Sequence, residues 1–296
     1  MTRVLSALVL LPVVVGTIWF LPDWATLLLA LLAALLAFSE YRIIARALGA
    51  EVPAGVAATA VVLACYAMWI GDRWMHTTSA SLLPVGGMSF SSADVFKPNL
   101  VALVLMSAFL VTGAVAVARG RPGPGVLADA ATTLFAPIYI GLPLGALAWI
   151  RADRFAAYEL TNWDGRQAVL LLLGIIVVSD SAQYYTGRAF GRRPLAPTIS
   201  PKKTMEGAIG GMIFGTIATA IGGSYVFSSP WWMLGLLGAV ISLLGIVGDL
   251  FESLLKRSAG VKDSSSLIPG HGGVLDRIDS WLFAAPVYYV FVRFVA

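Results

Sequence analysis

Runs of apolar residues punctuated by Pro, Gly and charge recur along the whole chain, and each is close to the about 20 residues that a helix needs to cross a hydrocarbon core. They predict nine helices, near residues 4–21, 24–39, 55–71, 99–117, 126–150, 168–187, 207–227, 231–252 and 278–295. Pro22 and Asp23 leave a tight turn after the first, and longer polar connections fall at 72–98 and 151–167. The run from Val4 to Leu21 is longer than the apolar core of a secretory leader, and no small-residue cleavage site follows it. It reads as a retained span. The expected fold is all-α, a polytopic integral membrane protein.

Composition agrees. Of 296 residues 58% are hydrophobic and 12% are charged, against roughly 25% charged in a soluble domain, which excludes a soluble globular enzyme and a disordered chain. The net charge of +4 does not imply nucleic acid as a partner, because membrane proteins keep Lys and Arg on their cytoplasmic side. Alternating the nine spans puts fourteen Lys and Arg on one side and six on the other, so the basic side is assigned to the cytoplasm. Cys65 is the single cysteine; it has no intrachain partner and sits in an apolar run, as a small hydrophobe would.

The charges are scarce and clustered. Lys and Arg number 20 and Asp and Glu 16, and sixteen of these charges lie within 180–207 and 249–279, both on the basic side. Asp249, Glu252, Ser253 and Lys256 are spaced i, i+3, i+4 and i+7, which is one face of a helix. Asp276 and Asp279 repeat the i, i+3 spacing where the ninth span begins. Charge near hydrocarbon is costly unless paired, hydrated or bound to metal, so these residues mark a site. Carboxylates suit Mg²⁺ together with phosphate oxygens, Lys and Arg complement phosphate, and Gly270, Gly272 and Gly273 let backbone amides approach an anion. The upstream cluster of Asp180, Gln183, Arg188, Arg192, Arg193, Ser200, Lys202, Lys203, Thr204 and Glu206 has the same character. The chemistry indicated is metal-assisted phosphoryl or nucleotidyl transfer.

Plainer readings stand beside this one. Lys202–Lys203 and Arg192–Arg193 serve equally as topology determinants, and Asp249 with Glu252 as structural partners of Lys256. Gly207, Gly210, Gly211 and Gly215 suit close helix packing, Glu40 and Asp129 read as structural, and Trp281 reads as an interface anchor. There is no Gly-x-x-x-x-Gly-Lys-Ser/Thr loop, Gly-x-Ser-x-Gly elbow or His-Glu-x-x-His pattern, so P-loop, serine-hydrolase and zinc-protease chemistries are unsupported.

The 27 positions from Ser253 to Asp279, with Lys256-Arg257, Lys262-Asp263, Pro269-Gly-His271-Gly-Gly and Asp276-Arg277-Ile-Asp279, resemble the signature of CDP-diacylglycerol synthases, or phosphatidate cytidylyltransferases. Asp180 to Arg188 and Ser200 to Gly207 are similar to the family's other characteristic stretches. Met205 stands where the family often has Trp, and Ser264–Ser266 where it often has Gly. The resemblance implies transfer of a cytidylyl group from CTP to phosphatidate with Mg²⁺ and, in some members, a second cation such as K⁺. It implies metal ligation by Asp249 and Asp276, with Asp279 and Asp180 close behind. Ser200, Lys202, Lys203, Thr204, Glu206, Arg188, Lys262, Asp263, Gly272, Gly273 and Arg277 then fall to substrate binding. Lys256 and Arg257 join the catalytic set, with His271 in the site without a specific role. Residues 1–167 are read as a transmembrane scaffold giving lipid access and 168–296 as the catalytic region, in the inner membrane with the site facing the cytoplasm. Small-residue faces are compatible with a homodimer. A CTP-dependent lipid or polyprenol kinase, and a transporter, are the alternatives.

Overall fold

A computed structural model of the chain describes residues 2–77, 99–152, 164–265, 267 and 272–296. Helices dominate: α1 (Thr2–Phe20), α2 (Asp23–Ala47), α3 (Ala54–Thr77), α4 (Leu100–Arg119), α5 (Val126–Ala136), α6 (Leu142–Arg151), α7 (Gly165–Phe190), α8 (Met205–Val226), α9 (Trp231–Ser258) and α10 (Leu275–Phe294). A π-turn, Pro137–Gly141, joins α5 to α6. With α5 to α6 taken as one unit, the described residues form nine helical units, and seven are long and apolar enough to cross a membrane. α1 and α10, of 19 and 20 residues, are the two remaining units and match a span in length, about 30 Å at 1.5 Å rise per residue. This is the polytopic all-α architecture that the apolar pattern predicts.

Three details depart from that pattern. The helices flanking the charge clusters run further than the apolar segments, so α7 includes Arg188, α9 includes Lys256 and Arg257, and α10 begins before Asp276. Basic groups at a helix C-terminus and acids at an N-terminus suit the helix dipole, so hydropathy ends before the hydrogen-bond ladder does. The fifth span is broken by its π-turn, where Pro137 lacks an N–H. Residues 194–204, which fall between two predicted helices, hold a short antiparallel hairpin of β1 (Pro194–Ala196) and β2 (Ser200–Thr204).

Two ends of the bundle are defined by contacts. At one, Arg151 donates to the carbonyls of Ile18 (2.6 Å) and Leu21 (2.8 Å), supplying the end of α1. At the other, Glu51 N donates to Asp129 Oδ1 (2.7 Å) and Arg42 Nε to Val52 O (3.3 Å). The α5–α6 unit lies deepest. Every residue of Pro143–Arg151 is buried, with α6 packed on α2, α3 and α10. Large apolar side chains such as Leu32, Phe109, Ile213 and Leu236 face outward, as expected where lipid is the solvent. Gly207, Gly210 and Gly211 of α8 lie against Gln183, Thr186 and Gly187 of α7, and Gly215 against Ser242 of α9, so this glycine face is a packing face.

Beneath the charged end, rings from both halves of the chain meet. Phe135 and Tyr139 stack at 5.2 Å, Tyr139 meets Phe251 at 5.6 Å and Tyr41 at 6.3 Å, and Phe251 meets Phe283 at 5.6 Å. The π-turn carries Tyr139 into this cluster. Tyr139→Ala should lower stability by about 3 kcal/mol through a buried void, measured as a shift in the detergent-unfolding equilibrium. Tyr139→Phe should leave it within about 1 kcal/mol, because volume is kept.

Candidate active site

α7, α8, α9, α10 and the hairpin enclose an open cavity of about 650 Å³ at the end of the bundle where both charge clusters lie. Asp180 stands on α7, Asp249 on α9 and Asp279 on α10, and all three line the cavity. Asp249 and Asp180 each act electrostatically on Asp279, and Lys203 opposes them. Lys203, on β2, makes an ion pair with Asp249 across the cavity. Gln183 Nε2 donates to Asp180 Oδ1 (3.1 Å), and Ser253 Oγ lies 3.4 Å from Asp249 Oδ1. Arg188, Ser200, Lys202, Thr204, Asp263 and Arg277 also line it.

A second group of charges is closed. Lys256 sits between Glu252, one turn earlier on α9, and Asp276 on α10, and makes an ion pair with each. Glu252 is 0% exposed and Lys256 9%. The other oxygen of Asp276, Oδ2, accepts from Gly273 N (2.7 Å) and Ser264 N (3.0 Å), with Ser264 Oγ at 2.9 Å. Asp276 thus ties the start of α10 to α9 and to the loop between them. Gly272 has φ +81°, and a Cβ there would stand 2.6 Å from Asp276 Oδ2, so the loop follows this path only with glycine.

α9 and α10 come together at Gly248. A Cβ at this position would stand 2.5 Å from Asp279 O and 3.1 Å from Phe283 Cδ2. The missing side chain is what allows Asp249 and Asp279 to face one cavity.

The hairpin is held from below. Thr204 Oγ1 caps α8 by accepting from Gly207 N (3.1 Å). Glu206 Oε2 accepts from Arg192 N (3.0 Å) and Arg193 N (3.2 Å), fixing the turn into β1. Lys202 and Lys203 thereby both line the cavity, Lys203 partly buried and Lys202 at its exposed rim.

Of the residues singled out in the sequence, Asp180, Arg188, Ser200, Lys202, Lys203, Thr204, Asp249, Lys256, Asp263, Asp276, Arg277 and Asp279 line this one cavity. Glu206 supports the turn, and Arg257 Nε lies 3.4 Å from Ile199 O of the hairpin connection. Lys262 is exposed, and Gly272 and Gly273 contact Asp276 from the loop. His271 lies outside the described residues. Sequence reasoning missed Tyr184 and Trp281, which also line the cavity. For Tyr184 the signal was its i, i+4 spacing to Arg188, whose Nη1 donates to the phenol oxygen (3.2 Å); Trp281, assigned to the membrane interface, follows Asp279 by two residues at the same helix start.

The whole chain, residues 1–295, matches the model of the cytidylyltransferase family. The chain belongs to that family. It is 35% identical to YnbB, an uncharacterized protein of Escherichia coli K12, over 224 residues that cover 75% of this chain and 71% of the relative. It is 39% identical to a phosphatidate cytidylyltransferase of Synechocystis over 53% of this chain and 52% of the relative. A phosphatidate cytidylyltransferase of Haemophilus influenzae is 41% identical over 48% and 51%. The chain thus matches about half the length of each of these two named enzymes.

Within this cytidylyltransferase-family chain the two charge groups answer differently to mutation. Removing the buried Lys256 leaves two uncompensated carboxylates, so Lys256→Met should cost about 3–5 kcal/mol. The Lys203–Asp249 pair keeps side-chain exposures of 23% and 34%, and Lys203→Met should cost at most about 1 kcal/mol. Comparing detergent-unfolding midpoints of the two variants checks the order. Gly248→Ala should keep the helical content while separating Asp249 from Asp279, lowering turnover about tenfold or more, read from steady-state rates beside circular dichroism.

Proposed function

We propose that this protein transfers a cytidylyl group from CTP to phosphatidate, giving CDP-diacylglycerol and pyrophosphate in phospholipid biosynthesis. The observation that carries the reading is the meeting of Asp180, Asp249 and Asp279 with Lys202, Lys203, Arg188 and Arg277 in one cavity at a bundle end, in a chain of the cytidylyltransferase family. A phosphate oxygen of the lipid attacks the α-phosphorus of CTP. The bond from that phosphorus to the oxygen bridging to the β-phosphorus breaks, and pyrophosphate leaves with the electron pair. Phosphatidate supplies its own nucleophile, so no covalent protein residue is required. Catalysis rests on alignment and on neutralising phosphate charge.

The residues fit a divalent cation. Asp180, Asp249 and Asp279 act on one another electrostatically with Lys203 opposing them, a grouping of carboxylates that suits a divalent cation. Mg²⁺ takes one or two protein carboxylates and fills its shell with water and phosphate oxygens. Asp249 and Asp279, with Asp180 beside them, would hold it, and when bound it would polarise the phosphate oxygens. Asp276, which the resemblance names as a principal ligand with Asp249, has its oxygens engaged by Lys256 and the loop, and would join the ligand set by exchanging Lys256 for the cation. Lys202, Lys203 and Arg188 hold the triphosphate from the hairpin and α7 side, and Arg277 the lipid phosphate from the start of α10.

The cavity opens at the end that carries most of the Lys and Arg, which supports a site facing the cytoplasm from the inner membrane. CTP is then supplied from the aqueous side and phosphatidate from the bilayer, whose headgroup phosphates lie at that depth.

The test is an assay of the purified protein with CTP, phosphatidate and Mg²⁺, with products identified by mass and K⁺ varied. CDP-lipid and pyrophosphate are expected. Phosphorylated lipid with CDP would mean attack at the γ-phosphorus and would overturn the reading. Asp249→Asn should lower the rate at least about 10²-fold while leaving the unfolding midpoint nearly unchanged. Full Mg²⁺-dependent turnover in this variant would remove Asp249 from the site.

A further inference from the structure

Glu40 lies on α2, far from the charge clusters in sequence, and is 2% exposed. Its carboxylate is saturated by groups from the α9–α10 connection. Oε1 accepts from Ser265 Oγ (2.7 Å) and Val274 N (2.9 Å), and Oε2 from Ser264 Oγ (2.8 Å) and Leu275 N (2.8 Å). Val274 and Leu275 open α10, whose first N–H groups have no acceptor within the helix, and Val274 provides no side-chain cap. Glu40 therefore caps α10 from another helix, and its charge suits the positive end of the dipole. Gly273 makes room for it: a Cβ there would collide with Glu40 Oε2 and Ser264 Oγ. Ser264 Oγ is within hydrogen-bond distance of both Glu40 Oε2 and Asp276 Oδ2, so Glu40 and the loop carboxylate share one hydroxyl.

Glu40 does not line the cavity. What it holds does, because Asp276, Arg277 and Asp279 follow directly on the amides it caps. We propose that Glu40 is a positioning residue for the reaction: it ties Ser264–Ser265 within the α9–α10 connection and Val274–Leu275 at the start of α10 to α2, and so sets where Asp276, Arg277 and Asp279 stand. Four donors converge on two oxygens, and an amide in the same place would turn its NH2 toward one serine hydroxyl, which can rotate to accept, and toward one backbone N–H, of Val274 or Leu275, which would be left buried and unpaired. The activity consequence rests on the cytidylyltransferase reading above; the clamp itself does not.

The experiment uses the full-length protein in detergent with Glu40→Gln, Ser265→Ala and the double variant. Glu40→Gln should lower kcat about tenfold or more while KM for CTP changes less than about threefold, because Arg188, Lys202 and Lys203 on α7 and the hairpin are untouched, and KM for phosphatidate should rise as Arg277 is displaced. Ser265→Ala should give a smaller loss in kcat, and the double variant should be no slower than Glu40→Gln by the full Ser265→Ala factor, since both act through one contact. Amide hydrogen exchange over 272–276 should speed up about tenfold in Glu40→Gln, with α3 and α8 unchanged. Unchanged exchange at 272–276, or unchanged kcat in folded Glu40→Gln, overturns the proposal, as does a uniform loss of protection across the bundle. If Glu40→Gln cannot be obtained folded, Ser265→Ala decides alone: faster exchange at 273–275 with lowered kcat supports the clamp, and wild-type values overturn it. A wild-type protein that forms no CDP-lipid would sink the functional reading, and the exchange arm would still decide whether Glu40 holds the loop.

Discussion

Lys256 is buried between two carboxylates at the edge of a membrane-spanning bundle, and the geometry of the charged end depends on it. Desolvating three charges is expensive, and their mutual attraction offsets that cost only while all three stay in contact. Glu252 is on the same helix as Lys256, so the variable partner is Asp276. Holding it fixes the start of α10 against the end of α9. Gly248 then lets the two backbones close to contact, and Asp249 and Asp279 are brought to one cavity as a result.

The charged end is therefore built in two tiers. In one, Lys256 joins Glu252 to Asp276 and Glu40 takes up the α9–α10 connection, with Lys256 and Asp276 also reaching the cavity wall. Groups that remain open, Asp180, Asp249, Asp279, Lys202 and Lys203, line the space where a ligand fits. The aromatic cluster of Tyr41, Phe135, Tyr139, Phe251 and Phe283 supports both tiers from beneath. Phe251 lies between Asp249 and Glu252 in sequence, so the ring that anchors this turn of α9 also sets the directions of its open and closed carboxylates.

Much of this was legible in the residues. Helical spans follow from apolar run length, and the i, i+3, i+4, i+7 spacing of Asp249, Glu252, Ser253 and Lys256 holds because α9 continues unbroken through Ser258. What the spacing could not distinguish was Lys256 from Lys203. Both are lysines beside aspartates, and only burial separates a closed ion pair from an open one. Glu40 was beyond reach for another reason. Its hydrogen bonds join residues more than 220 positions apart, and an isolated acid near a span end carries no local sign of a distant helix start. The hairpin was hidden by its prolines, which suppress strand patterns while still allowing a two-stranded edge.

A cavity lined by three facing carboxylates is unfavourable in a low-dielectric setting, and the like charges push the helices that carry them apart. The closed tier opposes that push. Lys256 and Glu40 hold α10 to α9 and α2, so the repulsion among Asp180, Asp249 and Asp279 is stored in the site instead of relaxing the fold. In the proposed reaction a metal-bound triphosphate, positive at its ion and negative at its phosphates, would complement both the carboxylates of α7, α9 and α10 and the lysines of the hairpin. Its binding energy would then go into alignment of the reacting phosphates, because the fold already orders the groups that receive it.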